Sequence, residues 1–120
     1  MRRGPYTSDF YYGAITAYDA VTSKVLAKTV TDIEVRSGAT VTAGGLLFSA
    51  LQDGWVVAYD DEKLQELWRF NVGTPLKGSP VVFAIGPKEY LAVQSSGRHL
   101  HPVKYDNLEH SSYLFVFALN

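Results

Sequence analysis

Short runs of β-branched, aliphatic and aromatic residues recur along the chain, separated by polar or glycine-containing breaks such as Gly44-Gly45, Asp53-Gly54 and Gly86-Pro87. Runs of this length, bounded by turn residues, predict β-strands. The pattern places strands at 14–19, 24–30, 39–43, 46–51, 55–60, 66–71, 80–85, 90–94 and 113–119. Only 62–67 has helical propensity, and it is too short to stand as a helix. The expected class is all-β. Asp53-Gly54 suits a tight hairpin, because glycine takes a positive φ without steric cost.

The pattern also repeats. Ala17-Tyr18-Asp19 and Ala58-Tyr59-Asp60 match at an offset of 41 residues, and Lys24 to Ala27 aligns with Gln65 to Trp68 at the same offset. A period near forty with four short antiparallel strands per unit is the signature of a β-propeller blade. The expected division is a half blade over 13–30, a complete blade over 38–71 and an incomplete last blade over 78–120. Such a set cannot close a ring, and a repeat unit cannot bury its faces alone. Two arrangements satisfy this: the chain is a segment of a longer propeller, or it assembles with other chains.

The repeat resembles the tryptophan-docking repeat of PQQ-dependent (quinoprotein) alcohol and methanol dehydrogenases, which reads approximately A-x-D-x-x-T-G-K-x-x-W. The copy from Ala58 to Trp68 keeps the Ala, Asp and Trp, whereas the copy from Ala17 to Ala27 has Ser23 for glycine and Ala27 for tryptophan. Thr42-Ala43-Gly44-Gly45-Leu46-Leu47-Phe48 with Asp53-Gly54 is similar to the family's T-A-G-G-L-V-F…D-G segment. Gly78-Ser79-Pro80-Val81 and Tyr90-Leu91-Ala92-Val93 are similar to its G-S-P-V…Y-V-A-V segment. The resemblance implies about two blades from the C-terminal part of an eight-bladed propeller.

Within the repeat, a carboxylate at a hairpin start accepts nearby backbone N–H groups, the role expected of Asp19 and Asp60. An outer-strand tryptophan, here Trp68, presents a large apolar face and one N–H donor that can pack between blades and bond a carbonyl. Buried in that way, Trp68→Ala would cost about 3–5 kcal/mol.

What the family implies about chemistry is oxidation of a small alcohol by pyrroloquinoline quinone (PQQ), with calcium or a lanthanide as Lewis acid and an aspartate as base. Those ligands and that base belong to earlier blades, so the resemblance puts no catalytic residue in this chain. Two segments align with positions near the cofactor. Arg36-Ser37-Gly38 takes the place of a W-G-G or W-A-G turn beside the quinone plane, with arginine for tryptophan. Arginine there either bonds a quinone carboxylate in a bidentate manner or is an ordinary surface residue. Gly97 lies in 95–102, aligned with a Gly-rich loop at the mouth of the active site. His99 and His101 would share one side of an extended strand, but no third ligand accompanies them, so no metal site is assigned.

Composition changes this picture little. Eleven Lys and Arg against twelve Asp and Glu give a net charge of −1, and there is no cysteine. The first supplies no electrostatic reason to bind nucleic acid, and the second excludes disulfides and thiolate metal sites. No apolar run approaches a membrane span. A periplasmic location follows from the resemblance alone, since Met1–Tyr6 is not followed by an apolar signal region. Three functional readings stand at this stage: a segment of a quinoprotein dehydrogenase contributing blades and part of the quinone pocket, a non-catalytic propeller scaffold, or a self-assembling fragment. Its expected partners are the remaining blades of the same propeller or other copies of the chain, with a small alcohol as substrate by resemblance.

Overall fold

The structure is a computed structural model that describes residues 12–33, 35, 37–76, 78–95 and 112–119. Nine strands follow in order: β1 (Gly13–Tyr18), β2 (Val25–Thr31), β3 (Ala39–Val41), β4 (Leu46–Ala50), β5 (Trp55–Asp60), β6 (Glu66–Asn71), β7 (Val81–Ile85), β8 (Lys88–Gln94) and β9 (Leu114–Leu119). They form three antiparallel sheets ordered β1-β2, β3-β4-β5-β6 and β7-β8-β9. Each segment read as a strand from the sequence is one. The largest boundary shifts are of two residues, at β3, which stops at Val41, and at β8, which starts at Lys88. Gly86, with φ of 59°, and Pro87 turn the chain so tightly that Ile85 pairs directly with Lys88.

The sheets are stacked, and the middle one is buried on both faces. Side chains alternate across a strand, so β4 and β5 feed two cores at once. Phe48, Ala50, Val56 and Ala58 meet Leu76, Leu91 and Val93 towards the third sheet. Leu47, Val57 and Tyr59 face the other way, where Ile15, Ala17 and Ala27 of the first sheet pack on them. Strand β6 is exposed along its whole length and forms the outer margin of its sheet. Its register with β5 pairs Ala58 with Trp68 and Val56 with Phe70, which puts both aromatic rings on the side of the third sheet.

The 41-residue offset persists in atomic detail. Asp19 N donates to Lys24 O and Ser23 N to Asp19 O, each at 2.8 Å; Asp60 N donates to Gln65 O and Leu64 N to Asp60 O, each at 2.9 Å. In the first turn the Asp19 carboxylate accepts from Val21 N and Thr22 N at 2.8 Å. In the second, Asp60 accepts from Glu62 N at 3.3 Å and Lys63 N at 3.1 Å. The N–H groups of Thr22 and Val21 hold the Asp19 carboxyl below the usual carboxylate range. Its support of the turn is therefore complete above the unfolded-state pKa and fades as the pH falls through the lower folded-state value.

The position after the Thr of the repeat pattern has φ of 60° at Ser23 and 55° at Leu64, a left-handed conformation that costs an L-residue roughly 1–2 kcal/mol. Leu64 offsets that cost by burial in the core between the first two sheets, whereas Ser23 is exposed. Ser23→Gly is expected to stabilise the chain by about 0.5–1 kcal/mol, read as a higher denaturation midpoint with an unchanged denaturant slope. Leu64→Gly is expected to destabilise it.

Candidate functional site at one end of the sheets

Strand direction sorts the connections into two ends. The turns at 19–24, 42–45 and 61–65 lie at one end; the segments at 32–38, 51–54 and 72–80, with Ser95 and Tyr113, lie at the other. All five buried polar side chains among the described residues belong to this second end: Thr31, Ser49, Gln52, Thr74 and Ser95. Buried polar groups weaken a core unless something uses them. Their gathering at one end marks it as the candidate site.

Ser37 and Gly38 lie here, at the start of the inner strand β3. The Ser37 hydroxyl donates to Ala50 O at 2.7 Å, accepts from Ala50 N at 3.1 Å and lies 3.4 Å from Ser49 Oγ. It thus takes over both backbone groups of Ala50, beyond the last ladder pair, Ala39 with Ser49. Gly38 N donates to Ser79 Oγ at 2.8 Å, which links the middle sheet to the third at their inner margins. Thr40 Oγ1 adds a second link by donating to Pro80 O. A Cβ on Gly38 would stand 2.5 Å from Ser79 Oγ, so the glycine permits this approach.

Next to this lies the hairpin turn between β4 and β5. Leu51 N donates to Trp55 O at 2.8 Å, Gly54 N to Leu51 O at 3.1 Å and Val72 N to Gly54 O at 2.9 Å. Asn71 Nδ2 donates to Asp53 O at 3.1 Å, so the turn is fixed from two sides. Gln52 is fully buried, and neither its Oε1 nor its Nε2 has a hydrogen-bond partner among the described residues.

Further out, a cleft of about 130 Å³ separates the first two sheets, with Thr31, Asp32, Asp53, Tyr59, Glu66 and Arg69 in its wall. Arg69 Nε donates to Glu66 Oε2 at 2.9 Å, and the guanidinium lies 4.9 Å from the centre of the Trp55 ring. With Glu66 as its partner, Arg69 titrates above the ordinary arginine range. Burial pushes the Tyr59 phenol up. Between the second and third sheets an apolar groove of about 310 Å³ is bounded by Leu67, Trp68, Phe117 and Leu119. Trp68 lies edge-on to Phe117 at 5.7 Å between ring centres, yet it is 41% exposed. No hydrogen bond from its indole is found among the described residues.

Of the residues singled out from the sequence, Ser37 and Gly38 are brought together with Ser79 at this end. Asp19, Asp60 and Trp68 belong to the turns and outer strand of the repeat, away from it. Arg36, Gly97, His99 and His101 lie outside the described residues. No group of three His, Cys, Asp or Glu suited to a metal ion is present among the described residues. The sequence reading passed over Ser79 and Gln52. The repeat offset could have found Ser79, which stands 41 positions after Gly38.

No protein-family model matches the chain. It is 40% identical to the lanthanide-dependent methanol dehydrogenase of Methylacidiphilum fumariolicum over 97 residues, 79% of this chain and 16% of that protein. Against the quinoprotein ethanol dehydrogenase of Pseudomonas aeruginosa the identity is 31%, over 71% of this chain and 14% of the relative. A solved europium-containing methanol dehydrogenase superposes with a TM-score of 0.75 at 31% identity, over 91% of this chain and 23% of that one. The quinohemoprotein alcohol dehydrogenase of Comamonas testosteroni shares the fold, with a TM-score of 0.77 at 20% identity, over 89% of this chain and 16% of that one. The chain thus spans about a sixth of the length of the curated relatives it matches.

Proposed function

The chain corresponds to the C-terminal part of a quinoprotein, PQQ-dependent alcohol dehydrogenase-type β-propeller, and on that premise we propose that it forms part of the floor of the quinone pocket without carrying the catalytic centre. One observation supports this most: the buried polar side chains gather at the end of the sheets where Ser37 and Gly38 lie. Small residues stand at 37, 38, 78 and 79 along that inner margin. The Gln52 amide, unpaired among the described residues, and the Ser79 hydroxyl, which accepts from Gly38 N and keeps its own proton to donate, suit a group rich in oxygen atoms. Such residues fit PQQ. Ser37, Gly38, Arg36 and Gly97 are the positions proposed to hold it, Arg36 by bonding a carboxylate. When bound, the quinone supplies the electron acceptor for alcohol oxidation. Calcium or a lanthanide enters only with carboxylates from blades outside this chain.

On the same reading the two-, four- and three-stranded sheets are a half blade, a complete blade and a blade lacking its outer strand. Among the described residues, strands β1 and β9 each have one unpaired edge, and neither carries a charged residue. The outer strands differ, for β2 bears Lys28 and β6 bears Glu66 and Arg69. Charges on an edge discourage further pairing, which sets β2 and β6 apart from β1 and β9; with β3 and β7 as the inner strands of their blades, β1 and β9 are the edges that await neighbours on this reading. Those neighbours are the remaining blades of the same propeller, and the strand completing the last sheet would cover Trp68, which is the docking role of the repeat. A small alcohol is the substrate of the assembled protein and the periplasm its location, both by likeness to the family. No nucleic acid or membrane partner is proposed; no helix among the described residues is long and apolar enough to cross a membrane.

Absorbance titration of the chain with PQQ tests the reading. Saturable uptake is expected, weakened about tenfold or more in Arg36→Ala, the loss of a charge-assisted hydrogen bond. A chain that takes up no quinone contradicts it.

A further inference from the structure

We propose that Gln52 is a ligand-contacting residue of this site, its amide pairing with the polar edge of the bound quinone. The proposal rests on the quinone reading above and names a residue outside the two segments, 36–38 and 95–102, that align with positions near the cofactor. Buried amides in folded proteins are nearly always hydrogen-bonded, so one with both donor and acceptor unused calls for a partner. Gln52 is fully buried and both of its amide atoms lack one among the described residues.

The surroundings are arranged for such a role. The backbone around Gln52 is pinned by the bonds of Leu51 N, Gly54 N and Val72 N and by the Asn71 amide on Asp53 O. The amide atoms have no open surface in this structure, so a ligand reaches them only when the side chain leaves its packed position while the loop stays fixed. Two residues earlier, Ala50 is clamped by Ser37, which begins the segment proposed to lie under the cofactor. A primary amide offers two N–H donors and one acceptor. The quinone edge offers the complement: carbonyl and carboxylate oxygens for Nε2 and a ring N–H for Oε1. A purely structural glutamine at this position would be worse than a methionine of similar length, because it leaves polar atoms dry.

Gln52→Met in the full chain separates these roles through two readings, thermal unfolding without ligand and absorbance titration with PQQ. The midpoint of unfolding is expected to rise by about 4 °C, since the dry amide is removed. Affinity for PQQ is expected to fall about tenfold, the loss of one hydrogen bond to a charged or strongly polar oxygen. Unchanged affinity in a variant that folds overturns the proposal, and so does a lowered midpoint, which would reveal a partner for the amide inside the protein. A wild-type chain that binds no PQQ overturns the quinone reading itself and this assignment with it.

Discussion

Phe48→Ala is expected to cost the chain about 3–5 kcal/mol, enough to unfold a marginal domain. Phe48 is 2% exposed and stands in the core that joins the second and third sheets, in one cluster with Val56, Ala58, Leu91 and Val93. Removing the ring leaves a cavity that neither sheet can close without losing its register. Trp68→Ala is the informative contrast. Trp68 reaches the same pair of sheets from the outer strand but is 41% exposed, so its removal should cost about half as much, roughly 2 kcal/mol. On the blade reading proposed above, the larger cost would belong to the assembled propeller, with a further strand covering the indole. Chemical denaturation of both variants checks this: equal losses in the isolated chain would mean that the indole is already covered.

Gly54→Ala is expected to destabilise by about 2–4 kcal/mol, from a left-handed backbone and a steric clash acting together. Gly54 has φ of 95°, and a Cβ there would stand 2.8 Å from Asn71 Oδ1 and 3.1 Å from Thr74 O. The Thr74 carbonyl belongs to the backbone and cannot swing aside. The turn carrying Gln52 and the segment leading into β7 would be pushed apart, so quinone uptake should fall together with stability. Denaturation and titration of one preparation measure both. A variant as stable as the wild type would show that this approach is looser than the structure has it.

The strands were legible because each is a short apolar run closed by turn residues, as in 55–60 between Asp53-Gly54 and Asp61. The repeat was legible because its turns rest on side chains that name themselves, Asp19 and Asp60, whose carboxylates accept the next N–H groups. The inner margin was harder to read. Ser37 and Ser79 look like ordinary loop serines, and only folding brings Gly38 N within 2.8 Å of Ser79 Oγ across 41 residues. Gln52 was invisible for a related reason. A glutamine in a hairpin turn reads as solvated, and only the folded chain shows it enclosed, in a turn that Asn71 and Val72 tie down. Trp68 was legible as an outer-strand aromatic from the motif; in this structure its ring packs on Phe117 and is 41% exposed.

The central claim is that the quinone sits at the end of the sheets bearing Ser37, Gly38 and Gln52. Hydrogen–deuterium exchange of the chain with and without PQQ tests it most directly. The account predicts slowed exchange at 37–38 and 49–54 on addition of PQQ, with the opposite turns at 42–45 and 61–65 unchanged. Protection confined to those opposite turns, or none anywhere, would contradict it.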